Sequence, residues 1–215
     1  MAKTRFSLKK QPLQQRAKVT VAVIKEAAAH ILREQGTHAF TTNKVAEKAG
    51  VSIGSLYQYF PSKESLVAEI KRDHFAELRA LIKAAYENNK DKDLAMIVKA
   101  FIDASIEAHR IDPELHMVLS GDLSDFQIKE DDNSGDSVRV AVRALLDRHR
   151  DELRENLDTS LAAKLIYKVV ETSTHDTVLY HPELLDEADF ANELSRMIMA
   201  YLQGSRVLVR ASVAV

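Results

Sequence analysis

The chain has 215 residues, 46% hydrophobic and 29% charged, with a formal net charge of −2. That length and balance suit a globular protein with a sizeable core, while six glycines and four prolines argue for helices and against a β-sandwich or a glycine-rich nucleotide fold. The absence of cysteine excludes disulfides, Cys-ligated zinc and thiol catalysis.

No apolar run is long enough to span a bilayer. The basic N-terminus lacks a continuous apolar h-region, so no secretory signal is expected and the expected location is cytoplasmic. The small net charge hides an asymmetry. Residues 1–72 hold 13 Lys/Arg and 5 Glu, net +8, and residues 73–215 carry net −10. A basic head on an acidic body is the electrostatic footprint of a nucleic-acid reader.

Residues 1–15 contain Lys3, Arg5, Lys9 and Lys10 with Pro12 and little periodicity, as expected of a flexible basic arm that tracks phosphates, enters a minor groove or has no role. Arg16 to Gln35 form the first helix, with Val23, Ile24, Ala27, Ala28, Ile31 and Leu32 on one apolar face and Gly36 as its stop. Phe40 packs back, and Thr42 is expected to cap a second helix carrying Val45, Ala46 and Ala49. Gly50 suits the left-handed position that closes a helix. Ser52 caps the next one, whose buried face is Leu56 and Phe60 and whose other side carries Ser55, Tyr57, Gln58 and Tyr59. Pro61 ends it and Ser62 starts a fourth. Two short helices joined by a glycine turn, with a small Ala46 at the crossing and Val51 and Leu56 in the wedge, form a helix-turn-helix. A generic helical hairpin is the bland alternative.

The run TTNKVAEKAGVSIGSLYQYFPSKESLVAEI resembles the DNA-binding segment of the tetracycline-repressor (TetR) family of transcriptional regulators. The densest part is Gly50 to Leu66: glycine, capping serine, Leu-Tyr pair, aromatic-Phe pair and closing Lys-Glu. The likeness covers about residues 16–75, and the remainder is similar only in length and helical pattern. Many members carry Lys where this chain has Ile53, so one phosphate or base contact is expected to be missing.

The resemblance implies an all-α protein: a three-helix, helix-turn-helix DNA-binding head at 16–75 behind the arm, then a helical ligand-binding and dimerisation domain at 76–215. It implies DNA contacts from Thr42, Asn43, Ile53, Gly54, Ser55, Tyr57, Gln58, Tyr59 and Lys63. Chemically, Thr42, Tyr57, Tyr59 and Lys63 suit phosphate, Ser55 and Gln58 suit base edges, Ile53 a thymine methyl, and Gly54 a close approach to the groove. Asn43 suits either phosphate or base, and Tyr59 is equally suited to packing inside the head.

The fourth helix is expected from Ser62 to about Asn88, with a break near Lys71 to His74, followed by a polar loop through Asp93. A helix to Arg110 carries Leu94, Ile97, Val98, Phe101, Ile102 and Ile106, and Asp112-Pro113 opens a short one with Leu115, Val118 and Leu119. Residues 121–135 read as an acidic loop whose order of Asp, Asn and Gly does not fit an EF-hand. Three long helices finish the chain. Val138, Val142, Leu145, Leu146, His149 and Leu153 mark the first, Leu161, Leu165, Ile166, Val169 and Val170 the second, and Phe190, Leu194, Met197, Ile198, Tyr201 and Leu202 the third.

The resemblance implies a homodimer through the last two helices, for which Leu165, Val169, Leu194, Ile198 and Leu202 are the candidates; the alternative is that these stripes face the intrachain core. It also implies a small-molecule effector. His109, His116, Met117, Phe126, Tyr167, Glu171 and His175 are candidate ligand contacts, being polar, aromatic or polarisable residues on otherwise apolar helices. No HExxH, P-loop, GxGxxG or nucleophile–base signature occurs, so no catalytic residue, metal or cofactor is expected. The expected function is a ligand-responsive repressor, binding a pseudo-palindromic double-stranded DNA operator as a homodimer. The alternatives are a DNA-binding regulator controlled by a protein partner and an enzyme with a regulatory head.

Overall fold

A computed structural model describes residues 15–121, 123, 134–186 and 189–204. The basic arm up to residue 14, Phe126 and most of the 121–135 loop lie outside the described residues. Within them the chain is helical throughout, in the order α1 (Gln15–Gln35), α2 (Thr42–Lys48), α3 (Ile53–Tyr59), α4 (Lys63–Asn89), α5 (Leu94–Arg110), α6 (Pro113–Ser120), α7 (Ser134–Arg148), α8 (Thr159–Tyr180), α9 (Glu183–Asp186) and α10 (Phe190–Gln203). No described helix is long and apolar enough to cross a membrane.

The chain forms two compact units. The first comprises residues 1–80 and 109–131, the second 81–108 and 132–215. In the first unit α1 turns Val21, Ile24, Ala28, Ile31 and Leu32 inward against Phe40, Val45, Leu56, Phe60 and Leu66. Val23, expected on that face, is instead 42% exposed, because the helix turns Val21 into the core in its place. The unit is completed from far along the sequence: Leu115 and Leu119 of α6, with Leu123, belong to the same core.

The expected break in the fourth helix does not occur. α4 runs uninterrupted from Lys63 to Asn89, and no glycine or proline lies within it to remove a backbone hydrogen bond. Its start is fastened reciprocally, the Ser65 amide donating to Ser62 Oγ and the Ser62 amide to Ser65 Oγ, both at 3.2 Å. Asp93 caps α5 through the Met96 amide at 2.8 Å, and Asp112 caps α6 through the Leu115 amide at 3.1 Å, with Pro113 at the first helical position.

The second unit buries Leu94, Ile97, Ile102, Leu146, Ile166, Val170, Ile198 and Leu202 in one core. α7 stops at Arg148, and a 3-10 turn over Arg150–Glu152 leads to α8. Asp158 caps α8 by accepting the Ser160 and Leu161 amides at 2.9 and 3.1 Å. Ser105 of α5 and Thr174 of α8 bring two buried hydroxyls to 3.3 Å within this apolar interior. The Thr174 hydroxyl also donates to the Val170 carbonyl at 2.7 Å, so its desolvation is compensated.

Candidate nucleic-acid interface

The α2–turn–α3 segment is built almost entirely from local bonds. The N-cap of α2 is Thr41, one residue before the expected Thr42; its hydroxyl accepts the Lys44 amide at 3.3 Å. Thr42 is thereby the first helical residue, with its side chain free of the capping task. Gly50 has φ +64° and closes the turn, its amide donating to the Glu47 carbonyl at 3.1 Å, and the Val51 amide donates to the Ala46 carbonyl at 3.0 Å. A left-handed backbone favours glycine because a Cβ there meets the following carbonyl. Ser52 caps α3, accepting the Ser55 amide at 3.1 Å, and its hydroxyl lies 2.9 Å from that of Ser55.

Under this frame Val45, Leu56 and Phe60 are fully buried, and Ala46 nearly so. One face of α3 is thus anchored, and the other is left to solvent. Ile53 is 38% and Tyr57 43% exposed, and Gly54 and Gln58 are exposed beside them. Ser55 is half-buried. Tyr59, also half-buried, packs against the head core. The Tyr57 hydroxyl lies 3.1 Å from the Thr42 hydroxyl, tying the start of α2 to the middle of α3. Asn43 is exposed next to them, and Lys63 is half-buried at the start of α4.

Gly54 differs from Gly50. Its φ is not in the left-handed region, and a Cβ built there would meet only Ser52 Oγ, at 3.9 Å. Nothing inside the protein demands glycine at this exposed helical position. A missing side chain there suits close approach by something outside.

The other candidate residues are distributed over both units. His109 and His116 are buried in the first unit and Met117 is exposed there at 42%. Tyr167, Glu171 and His175 lie half-buried along α8 in the second unit, with Arg139 stacked 5.6 Å from the Tyr167 ring. Of the dimer candidates, Leu165 is 44% exposed and Val169 half-buried, whereas Leu194, Ile198 and Leu202 are buried in the second unit's own core. The exposed apolar side chains of α8 and α10 include Leu161 at 51% and Met197 at 53%.

Two features were not singled out from the sequence. His74 is buried in α4 and hydrogen-bonded to His116; its signal was its place between Ile70 and Leu78 at four-residue steps on a buried face. The Ser105–Thr174 pair left no signal, since its members are 69 residues apart.

A helix-turn-helix with a buried inner face and an open outer face has the form that DNA-binding proteins set in a major groove, and comparison with known proteins places it more narrowly. Residues 24–70 match the bacterial regulatory proteins of the tetR family, and residues 93–202 match the tetracyclin repressor-like C-terminal domain. The chain belongs to the TetR family of bacterial regulatory proteins. It is 34% identical over 108 residues to the nucleoid occlusion factor SlmA of Haemophilus ducreyi, half of either chain. It is 35% identical over 103 residues to the HTH-type transcriptional repressor KstR2 of Rhodococcus jostii, covering 44% of this chain and 50% of that one. The chain thus spans about half the length of these relatives. Among solved structures, the transcriptional regulator FadR of Bacillus subtilis in complex with stearoyl-CoA shares the fold with a TM-score of 0.61 at 20% identity, over 86% of this chain and 98% of that one.

Proposed function

We propose that the protein is a repressor that binds a pseudo-palindromic operator as a homodimer and is released by a small-molecule effector. The observation that carries the reading is the outer face of α3, where Ile53, Gly54, Tyr57 and Gln58 stand exposed on a helix anchored by fully buried Leu56. Such a face suits a major groove. Gln58 and Ser55 offer hydrogen bonds to base edges, Ile53 an apolar contact for a thymine methyl, and the absent side chain of Gly54 allows close approach. The linked hydroxyls of Thr42 and Tyr57, with Asn43, Lys63 and, through its hydroxyl, Tyr59, suit the phosphate backbone. The net +8 of residues 1–72, including the basic arm, supports non-specific attraction to DNA. Action on DNA in turn implies a cytoplasmic location.

Two half-sites about one helical turn apart require a twofold dimer. The surface best suited to it on α8 and α10 comprises Leu161, Leu165 and Met197, with Val169 beside them, while Leu194, Ile198 and Leu202 support it from beneath. For the effector, the second unit offers Tyr167, Glu171 and His175 together with the buried Ser105–Thr174 hydroxyls. An effector acts by preferring a head arrangement that does not fit the operator, lowering DNA affinity by its differential affinity. The repressor reading draws on the likeness to KstR2, and the effector reading on the stearoyl-CoA complex of FadR.

The test is selection of bound duplexes from a random DNA pool, followed by titrations at several salt concentrations. A pseudo-palindromic site with a steep salt slope is expected. Gln58→Ala should relax preference at one position per half-site, by about 1–3 kcal/mol; an unchanged preference removes Gln58 from base reading. Charged residues in place of Leu161 and Leu165 should give monomers in sedimentation, and a persistent dimer would put the interface elsewhere. The second reading, control by a protein partner, draws on the likeness to a nucleoid occlusion factor. It predicts that no small molecule releases the selected duplex.

A further inference from the structure

Three imidazoles lie buried together in the first unit, on three different helices. His74 of α4 is 6% exposed, His109 of α5 2% and His116 of α6 1%. His74 Nε2 and His116 Nδ1 are hydrogen-bonded at 3.0 Å. The His109 ring meets the His116 ring edge-on at 4.6 Å, and Phe75 flanks His116 at 5.5 Å. The cluster is not on the outer face of α3, and among the described residues no group of this kind is placed to hold a metal ion.

We infer that this cluster is a proton-operated latch: as neutral imidazoles it holds α6 onto α4 within the head, and its protonation in mild acid loosens α6 and weakens DNA binding. The inference rests on the DNA-binding role of the head.

A hydrogen bond between two imidazoles needs one N–H donor and one bare nitrogen. Protonating both partners sets N–H against N–H and turns the tie into a repulsion. The third imidazole, His109, packs edge-on against His116, so the pair sits in a close cluster of three rings.

At His74 the surrounding charges do not outweigh burial. From the start of α6, Asp112 faces the cluster, but its Oδ2 accepts from Arg33 of α1 at 2.6 Å and its Oδ1 from the Leu115 amide at 3.1 Å. Arg33 is shared in turn with Glu26. On α4, Glu77 is exposed, and Lys71 sits 5.7 Å from the Phe75 ring as a further positive charge. Burial therefore dominates and holds the His74 pKa below its ordinary 6.5; Asp112 and Glu77 oppose this and His109 adds to it.

A histidine depressed in the folded state stabilises the fold fully above its unfolded pKa, and that contribution is lost as the pH falls from there towards the folded value. The loss therefore begins near pH 6.5 and deepens below it. Its structural consequence falls on the head, because α6 and the residues after it bring Leu115, Leu119 and Leu123 to the head core. Added positive charge in acid favours attraction to phosphate in general, so weakened binding in acid has the sign opposite to bulk electrostatics.

The experiment uses the full chain and a duplex selected from a random pool at neutral pH. Dissociation constants and melting temperatures are measured at about pH 7.5 and 5.5 for the wild type, His74→Gln and the double variant His74→Gln/His116→Asn. Gln sets an amide nitrogen near the place of Nε2, and Asn near that of Nδ1, so hydrogen-bonding groups remain that do not titrate. The wild type should bind about tenfold more weakly at the lower pH and melt at a lower temperature. His74→Gln should match it at the higher pH and lose most of the pH dependence, and the double variant should lose the rest.

Wild-type affinity that holds or rises in acid overturns the latch, as does equal pH dependence in all three proteins. Should the variants fail to fold, histidine NMR titration of the wild type decides. Protonation that moves the Leu115 and Leu119 methyl signals supports the latch, and protonation that leaves them still overturns it. Failure to bind any duplex at pH 7.5 rejects the DNA-binding role, while the melting and NMR data still judge the latch itself.

Discussion

The α2–α3 segment and the α5–α8 pairing of the second unit place polar groups in opposite ways. In the first, hydroxyls cap helices and point outward, and apart from the Thr42–Tyr57 contact the bonds that set the shape join residues no more than five apart, such as Ser52 to Ser55 and Val51 to Ala46. In the second, hydroxyls of Ser105 and Thr174 meet inside an apolar core across 69 residues of chain. The head holds its chemistry on a locally determined scaffold, so its outer face can vary without disturbing the fold. The body holds part of its chemistry inside, where any change is felt by packing as well.

The sharpest way to probe that contrast is to cut into the two cores. Phe60→Ala removes a fully buried ring from the head and should cost about 3–5 kcal/mol in denaturant titrations, with DNA binding lost. Leu202→Ala in the second unit should cost about 2–5 kcal/mol. An unchanged midpoint for Phe60→Ala would mean that α3 is not anchored as described.

Next in size is a pair of glycines with opposite expectations. Gly50→Ala places a Cβ on a residue with φ +64° and should destabilise by about 1–2 kcal/mol, although nothing crowds it. Gly54→Ala should stabilise the helix by up to about 1 kcal/mol and yet weaken DNA binding. If Gly54→Ala binds as well as the wild type, close approach at that position is not required.

Cap removal separates the units more finely. Ser52→Ala and Asp158→Ala should each cost about 1 kcal/mol in thermal melts, but only Ser52→Ala should also lower DNA affinity. The smallest effect belongs to the buried hydroxyls. Ser105→Ala or Thr174→Val alone should cost about 1 kcal/mol, and the double variant less than their sum, because no partner is then left behind in the core. Strict additivity in a double-mutant cycle would show that the two hydroxyls are independent.

The head was largely legible because each signal acts on its neighbours. Gly50, Ser52 and Asp112-Pro113 fall where turns and caps require them. The errors came from one-residue or whole-helix choices that local pattern does not decide. Thr41 rather than Thr42 caps α2, since both carry the same hydroxyl. α4 runs through Lys71–His74 without a break. On α8 and α10, apolar periodicity located the helices but could not say which apolar residues face inward. Leu161 and Met197 turn out to be exposed, and Leu194, Ile198 and Leu202 buried.

By itself the sequence determined the all-helical class, the helix-turn-helix and its outward face, because 3.6-residue periodicity, caps and a left-handed glycine act over a few residues. Only the tertiary structure decided that α6 completes the head core, that His74, His109 and His116 meet, and that Ser105 pairs with Thr174. The His74–His116 bond spans 42 residues of chain, the Ser105–Thr174 bond 69 and the Arg33–Asp112 bond 79. Periodicity within one helix carries no record of which other helix its buried face will meet.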